Sequence, residues 1–203
     1  IRSYTAISSA LLTGLSSPGA MAFDPSGDLF VGCPGNRTIE EYSPGSTTSS
    51  ATINGVNYPA FLAFDSSGNL YCSDTIEDTV SEFTPGSTTV NTVLSDRGSP
   101  GPLAFDASGN LYVSNRNSTV SVFAPGYLEP LTSLSVPGIG SALEIDPSGT
   151  LFAATNQGAA TFVSATAYYG AGVKVLSSLR SRPMSLGGNN DAAVAGINLT
   201  SAE

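Results

Sequence analysis

Histidine is absent from the 203-residue chain, and lysine occurs once, at Lys174. Without an imidazole the chain has no Ser-His-Asp or Cys-His catalytic set, no His-ligated zinc and no histidine proton shuttle of its own. Positive charge is scarce: 7 Lys and Arg stand against 16 Asp and Glu, for a formal charge of −9. Neutralising phosphates takes clustered Lys and Arg, so nucleic acid is not an expected partner. Apolar runs are short, none nearing the ~20 residues of a spanning helix, so no membrane span is expected. Tryptophan is missing, and the 2 cysteines are too few to fix a redox compartment.

Glycine (22) and proline (13) are plentiful, and hydrophobic residues make up 40% of the chain, a globular and turn-rich composition. The segment Phe23-Asp24-Pro25-Ser26-Gly27-Asp28-Leu29-Phe30-Val31 returns at Phe64–Cys72, Phe105–Val113 and Ile145–Ala153, at spacings of 41, 41 and 40. A weaker fifth copy runs from Leu186 to Val194, without the Asp-x-Ser-Gly signature. A second element recurs as Ile39–Tyr42, Val80–Phe83 and Val120–Phe123, and Ile1–Tyr4 matches it. Such periodicity is the mark of a repeat architecture.

Each unit reads as four short strands, with no sustained helical period. In the second unit Leu62–Phe64 is the first, Leu70–Ser73 the second, Thr79–Phe83 the third and Thr88–Leu94 the fourth. Asp-x-Ser-Gly makes the first hairpin: the aspartate bonds its own turn and glycine takes the positive-φ position, so Asp24, Asp65, Asp106 and Asp146 need no catalytic role. The second strands, such as Leu111-Tyr112-Val113, are apolar at successive positions, so both of their faces need cover. Blades around an axis supply it, and four strands per ~40 residues is the propeller period.

The expected fold is therefore an all-β, five-bladed propeller of four-stranded antiparallel blades, one domain over 1–203. The repeats lie near 15–55, 56–96, 97–136, 137–180, and 181–203 together with 1–14. Passing through both ends, the interval from Leu186 to Phe23 is 40 residues, one repeat. The last blade is then composite: about Met184 to Ala195 gives its inner strands, and Ile1–Tyr4 and Ile7–Leu12 its outer ones.

Phe-Asp-x-Ser-Gly-Asn-Leu-Tyr-Val, followed by Thr-Val-Ser-Val-Phe and Pro-Gly and clearest over 105–126, resembles the NHL-type repeats of secreted and cell-surface bacterial β-propellers. The resemblance covers roughly residues 15–165. It implies the fold more than an activity, because propellers host binding modules, lyases, lactonases and scaffolds alike. Members commonly have six blades, so five is a departure, and a fragment of a longer array is an alternative.

Enzymes on similar propellers place histidines or a carboxylate-held metal at the axial mouth. The equivalent positions here are Cys33, Asp74, Asn115, Thr155 and Gly196, of which one is acidic. No cofactor is expected. The densest acidic group, Asp74, Glu77 and Asp78, is the weak calcium candidate. Glu40 and Glu41 alternate on one strand and face opposite ways, a poor acid and base pair. Cys33 and Cys72 share strand parity and point the same way, which disfavours a bridge between them. Asn36, Asn117 and Asn198 head Asn-x-Thr sequons and are candidate glycan acceptors, the first two in the loop between second and third strands. Arg37 and Arg116, taken as repeat-equivalent, and the adjacent Tyr168 and Tyr169 are candidate contacts for an anionic, sugar or protein ligand.

Sparse lysine, abundant Ser, Thr, Gly and Asn, and the family resemblance favour an extracellular or cell-surface location. The start at Ile1 is read as a processed form or a fragment. The leading expectation is a non-enzymatic module that binds a protein or glycan partner or copies of itself. The alternative is a propeller lyase or lactonase using Asp74, Glu77 or Asp78 with a divalent metal.

Overall fold

A computed structural model describes residues 11–96, 98–138 and 140–163 and the strands at 180–184 and 194–198, with backbone alone from residue 160 onward. Among these residues every regular element is a strand. The first sheet contains β1 (Met21–Phe23), β2 (Leu29–Cys33), β3 (Thr38–Tyr42) and β4 (Ala51–Ile53). The second contains β5 (Pro59–Phe64), β6 (Leu70–Asp74), β7 (Thr79–Phe83) and β8 (Thr92–Ser95). The third contains β9 (Pro100–Phe105), β10 (Leu111–Asn115), β11 (Thr119–Phe123) and β12 (Thr132–Ser135). In these three sheets strand order follows the sequence and every pairing is antiparallel.

The fourth sheet holds β13 (Gly140–Ile145), β14 (Thr150–Thr155) and β15 (Gly158–Val163), then β16 (Arg180–Met184) and β17 (Val194–Asn198). Its order is β13-β14-β15-β17-β16. β17 runs parallel to β15, with Ala160 opposite Ala195, and antiparallel to β16, with Pro183 opposite Ala195. The strands expected at Ile1–Tyr4 and nearly all of Ile7–Leu12, and residues 185–193, lie outside the described residues, whereas the described ends of the expected inner strands, Met184 and Val194–Ala195, join the fourth sheet through β16 and β17 and not a separate blade.

Why the hairpins form is visible in one device used four times. Asp24 Oδ1 accepts the N–H groups of Ser26 and Asp28 at 2.9 and 2.8 Å. Asp65, Asp106 and Asp146 take the equivalent donors in their own turns. Gly27, Gly68, Gly109 and Gly149 follow at φ between 81 and 92°, where a Cβ would clash with the backbone. These aspartates are turn builders, as their spacing suggested.

One boundary differs from the sequence reading: β8 begins at Thr92, not Thr88. The intervening backbone is satisfied locally. Ser87 Oγ donates to the Thr89 carbonyl, and Asn91 Oδ1 accepts the Thr84 N–H, so the ladder starts only after this turn.

The apolar core lies between sheets rather than within one. Ile53 and Phe30 of the first sheet pack with Leu70, Cys72 and Phe83 of the second. Val80 and Leu94 pack with Leu111, Val113 and Phe123 of the third, and Tyr112, Val120 and Leu134 with Leu143, Leu151 and Ala153 of the fourth. Aromatic edges mark two of these seams: Phe64 meets Phe30 at 5.1 Å between centroids, and Phe105 meets Tyr71 at 4.9 Å. Neighbouring sheets also adjoin through their first strands, β1 to β5, β5 to β9 and β9 to β13. The arrangement is propeller-like.

Residues 12–15 occupy the seam ahead of the first sheet. Leu12 and Leu15 pack against Val31, Cys33 and Tyr42, as Ile53 and Val56 pack against Cys72 and Phe83 one repeat later. The Thr13 N–H donates to the Thr47 carbonyl at 2.9 Å; Asn54 to Thr88 and Ser95 to Leu128 are the same bond at the next two seams. Thr13, Asn54 and Ser95 are each 41 residues apart. Phe23, in the column of Phe64 and Phe105, is 68% exposed, and Phe152, in the column of Phe30, Tyr71 and Tyr112, is 42% exposed.

Candidate functional site

The residues that end the second strands, Cys33, Asp74, Asn115 and Thr155, fall at corresponding positions; Gly196 lies in β17. Asp74, almost fully buried, clamps two segments. Its Oδ2 accepts the N–H groups of Asn57 and Tyr58 at 2.6 and 2.8 Å, in the connector that enters β5. Its Oδ1 accepts those of Ile76 and Glu77 at 3.0 and 3.1 Å, in the turn after β6. Glu77 takes the Asn57 side-chain amide at 2.6 Å, and Asp78 the Ser99 N–H at 2.9 Å. The three carboxylates proposed from sequence for calcium thus serve separate donors. Among the described residues no group of three or more Cys, Asp or Glu is placed to hold a metal ion.

One repeat on, Asn115 replaces Asp74, and a site missed by the sequence reading appears. Asn115 Nδ2 donates to Asp96 Oδ1 at 3.2 Å and to Ser121 Oγ at 2.8 Å, and Ser121 Oγ donates to Asp96 Oδ1 at 3.0 Å. Asp96 is 3% and Asn115 2% exposed. Asp96 Oδ2 and Asn115 Oδ1 nevertheless have no hydrogen-bond partner, a costly state for buried acceptors. Both residues line a cleft of about 380 Å³ whose rim carries Glu129, Ser133 and Asn117. Gly98 closes over the amide: a Cβ there would meet Asn115 Cγ at 2.6 Å. In the 41-residue register Asp96 stands where Gly14 and Gly55 stand; an acid in a glycine column was the available signal.

Burial pushes the Asp96 carboxyl up to about 6, opposed by hydrogen bonds from Ser121, Asn115 and the Gly98 backbone and assisted by the nearby Asp78 charge. Folding therefore favours protonated Asp96. Its contribution to stability is greatest below about pH 4 and declines as pH rises to about 6, by on the order of 2 kcal/mol. Urea unfolding across that window is expected to show this decline in the wild type and not in Asp96→Asn, which also removes the buried charge. A slope retained in Asp96→Asn would assign the effect elsewhere.

Glu40, also buried, is by contrast fully engaged: Thr38, Ser49 and Thr52 hydroxyls donate to it at 2.8 to 2.9 Å. Glu40 and Glu41 pair opposite Val31 and Phe30 on alternate faces of the sheet. A second cleft of about 220 Å³ opens beside Tyr71, Glu82, Phe105 and Tyr127 on the outer side of the seam between second and third sheets.

Asn36 and Asn117 are exposed in the turns between second and third strands. Asn117 Oδ1 accepts the Thr119 hydroxyl at 2.6 Å, and Asn36 Nδ2 donates to the Gly14 carbonyl at 3.2 Å. Asn198 ends β17, and Tyr168 and Tyr169 lie outside the described residues. Arg37 and Arg116 are exposed but not equivalent, which corrects the sequence reading. The turn after β10 is one residue shorter than the turn after β2. Arg37 (φ 62°) therefore aligns with Asp78 (φ 54°) and Ser118 (φ 65°), whereas Arg116 opens its turn. Cys33 and Cys72 are free and buried. Desolvation raises both thiols above their ordinary value, so neither is an activated nucleophile.

No family model matches the chain, and no curated protein matches it. Among solved structures, a chain of Kuenenia stuttgartiensis hydrazine synthase is similar at a TM-score of 0.64 and 19% identity, over 75% of this chain and 46% of that one. The protein thus spans less than half of that neighbour's length, and a likeness at this identity shows the fold alone.

Proposed function

We propose that the protein is a non-enzymatic binding module of the cell surface or extracellular space, built as a five-bladed propeller that its two ends complete together. The observation carrying the ring is the placement of Leu12 and Thr13, which make the contacts of a preceding blade's fourth strand. In this reading the remaining strands of that blade are assigned to Ile1–Tyr4 and to the chain that follows β15, of which β16 and β17 pair into the fourth sheet. The uncovered Phe23 and Phe152 are the two faces that blade covers. The NHL-type resemblance of 105–126 supports the extracellular assignment.

Binding rather than turnover is favoured by the chemistry of the clefts. One offers acceptor oxygens and the other an aromatic rim, while the buried thiols lack an activating base and the Asp74 carboxylate is held by four backbone donors. Partners are a glycan or a protein at the rim, or a second copy when the outer strand completes a neighbour's ring. The test is a screen of the immobilised protein against polysaccharides and against itself, run beside turnover assays on lactones and uronide polymers with divalent ions. Saturable binding without turnover is expected. Metal-dependent turnover lost in Asp74→Asn would replace this function with the lyase or lactonase alternative.

A further inference from the structure

We infer that the outer cleft between the second and third sheets binds one residue of a neutral glycan. The inference rests on the binding function proposed above and names the ligand of one of its clefts. The cleft holds about 220 Å³, less than the roughly 300–1,000 Å³ that encloses a drug-sized ligand, which suits a single ring. Its wall is aromatic: Tyr71 and Phe105, both half-buried, pack edge to face with centroids 4.9 Å apart. Glu82, half-buried on β7, accepts a hydrogen bond from the Tyr71 hydroxyl. Burial and the Glu82 charge hold that hydroxyl well above its ordinary value, so it keeps its proton and fixes the carboxylate beside it.

The rim departs from the repeat. Pro44-Gly45-Ser46 and Pro85-Gly86-Ser87 become Pro125-Gly126-Tyr127. Ser46 and Ser87 each close their turn by donating to the carbonyl two residues on, at 2.7 Å. Tyr127 gives up that bond, and its ring is left 54% exposed beside Leu128. The backbone under it is still pinned: the Tyr127 N–H donates to the Ala124 carbonyl at 3.1 Å, and the Leu128 carbonyl accepts the Ser95 N–H at 2.9 Å. An aromatic ring is thus held at the mouth of the cleft without being packed away. A pyranose matches this surface, having an apolar C–H face and an edge of hydroxyls that both donate and accept. Its face lies on Tyr127 and one hydroxyl donates to Glu82, while the Thr92 and Tyr127 hydroxyls serve the others. An ammonium ligand would use the carboxylate and leave the hydroxyl donors idle. An apolar peptide side chain would press Glu82 against carbon. Among the described residues no Lys or Arg lines the cleft, and Glu82 and Asp65 both act on Tyr71, so uronates are repelled. A single stacked ring with a few hydrogen bonds binds with a dissociation constant on the order of 10⁻³ M.

The test is saturation-transfer NMR of the full chain at neutral pH with the methyl glycosides of glucose, galactose, mannose and N-acetylglucosamine, and with sodium glucuronate and propylammonium chloride as charged probes. At least one methyl glycoside is expected to bind, and glucuronate is not. Tyr127→Ser restores the residue of the other two repeats, so it is expected to leave Tm unchanged while weakening that binding about tenfold. Glu82→Gln is expected to weaken it several-fold and to relax the exclusion of glucuronate. Binding by none of the four glycosides, or equal binding in Tyr127→Ser, would overturn the site. Propylammonium binding tighter than every glycoside would overturn it in favour of an amine site. Self-association lost in Tyr127→Ser, with no glycoside bound, would overturn it in favour of a protein contact. Polysaccharide binding that persists undiminished in Tyr127→Ser would retain the binding function and remove only this cleft.

Discussion

Removing residues 1–13 is expected to abolish the single cooperative unfolding transition of the protein. Leu12 covers one side of Val31, Cys33 and Tyr42, which are at most 2% exposed. The Tyr42 hydroxyl donates to the Thr13 carbonyl at 2.6 Å, and Thr13 bonds Thr47. Uncovering three side chains of this kind costs about 1.5 to 3 kcal/mol each, a loss comparable with the whole stability of an ordinary domain. Loss of cover also bares a sheet face that other chains can adhere to. Circular dichroism melts should therefore turn broad or show aggregation. Tyr42→Phe, losing only the hydroxyl contact, should cost about 1 kcal/mol. A truncated chain melting as sharply and as high as the full one would mean that the first seam needs no partner.

Asp74→Ala is expected to be the most damaging single substitution among the acidic residues, at 3 kcal/mol or more. It strands the N–H groups of Asn57, Tyr58, Ile76 and Glu77, two in the connector between sheets and two in the turn after β6. Asp74→Asn keeps one acceptor oxygen but turns an N–H₂ toward donors, so it should lie between wild type and alanine. Urea unfolding gives the ranking. A loss under 1 kcal/mol in Asp74→Ala, or one that appears only when calcium is present, would restore the metal role that the sequence suggested for this residue.

The repeats were legible because they are local. Asp-x-Ser-Gly closes on itself within five residues, and third strands such as Thr79–Phe83 follow from alternation between turn residues. What local pattern could not give was the partner of a side chain. Asp74 reads as an exposed acid beside Glu77 and Asp78, and only the connector two strands earlier makes it a clamp. Arg37 and Arg116 looked equivalent because counting forward from Phe-Asp ignores a one-residue difference in turn length, which backbone φ at Arg37, Asp78 and Ser118 reveals. Asp96 and Glu40 were visible only as departures from a column, Asp among Gly14 and Gly55, Glu among Ser81 and Ser121. Whether such a departure makes a satisfied buried acid or an open cleft depends on neighbours from other strands: three hydroxyls surround Glu40, whereas one oxygen of Asp96 has no partner.

Five-fold closure is tested most directly by distances between spin labels at the hairpin tips Ser26, Ser108 and Ser148, which are exposed and repeat-equivalent. In a ring of five sectors the first-to-third and first-to-fourth tips are separated by chords of equal length. Equal Ser26–Ser108 and Ser26–Ser148 distances are the predicted result. A Ser26–Ser148 distance clearly longer than Ser26–Ser108, as in a six-sector ring or an open array, would contradict it.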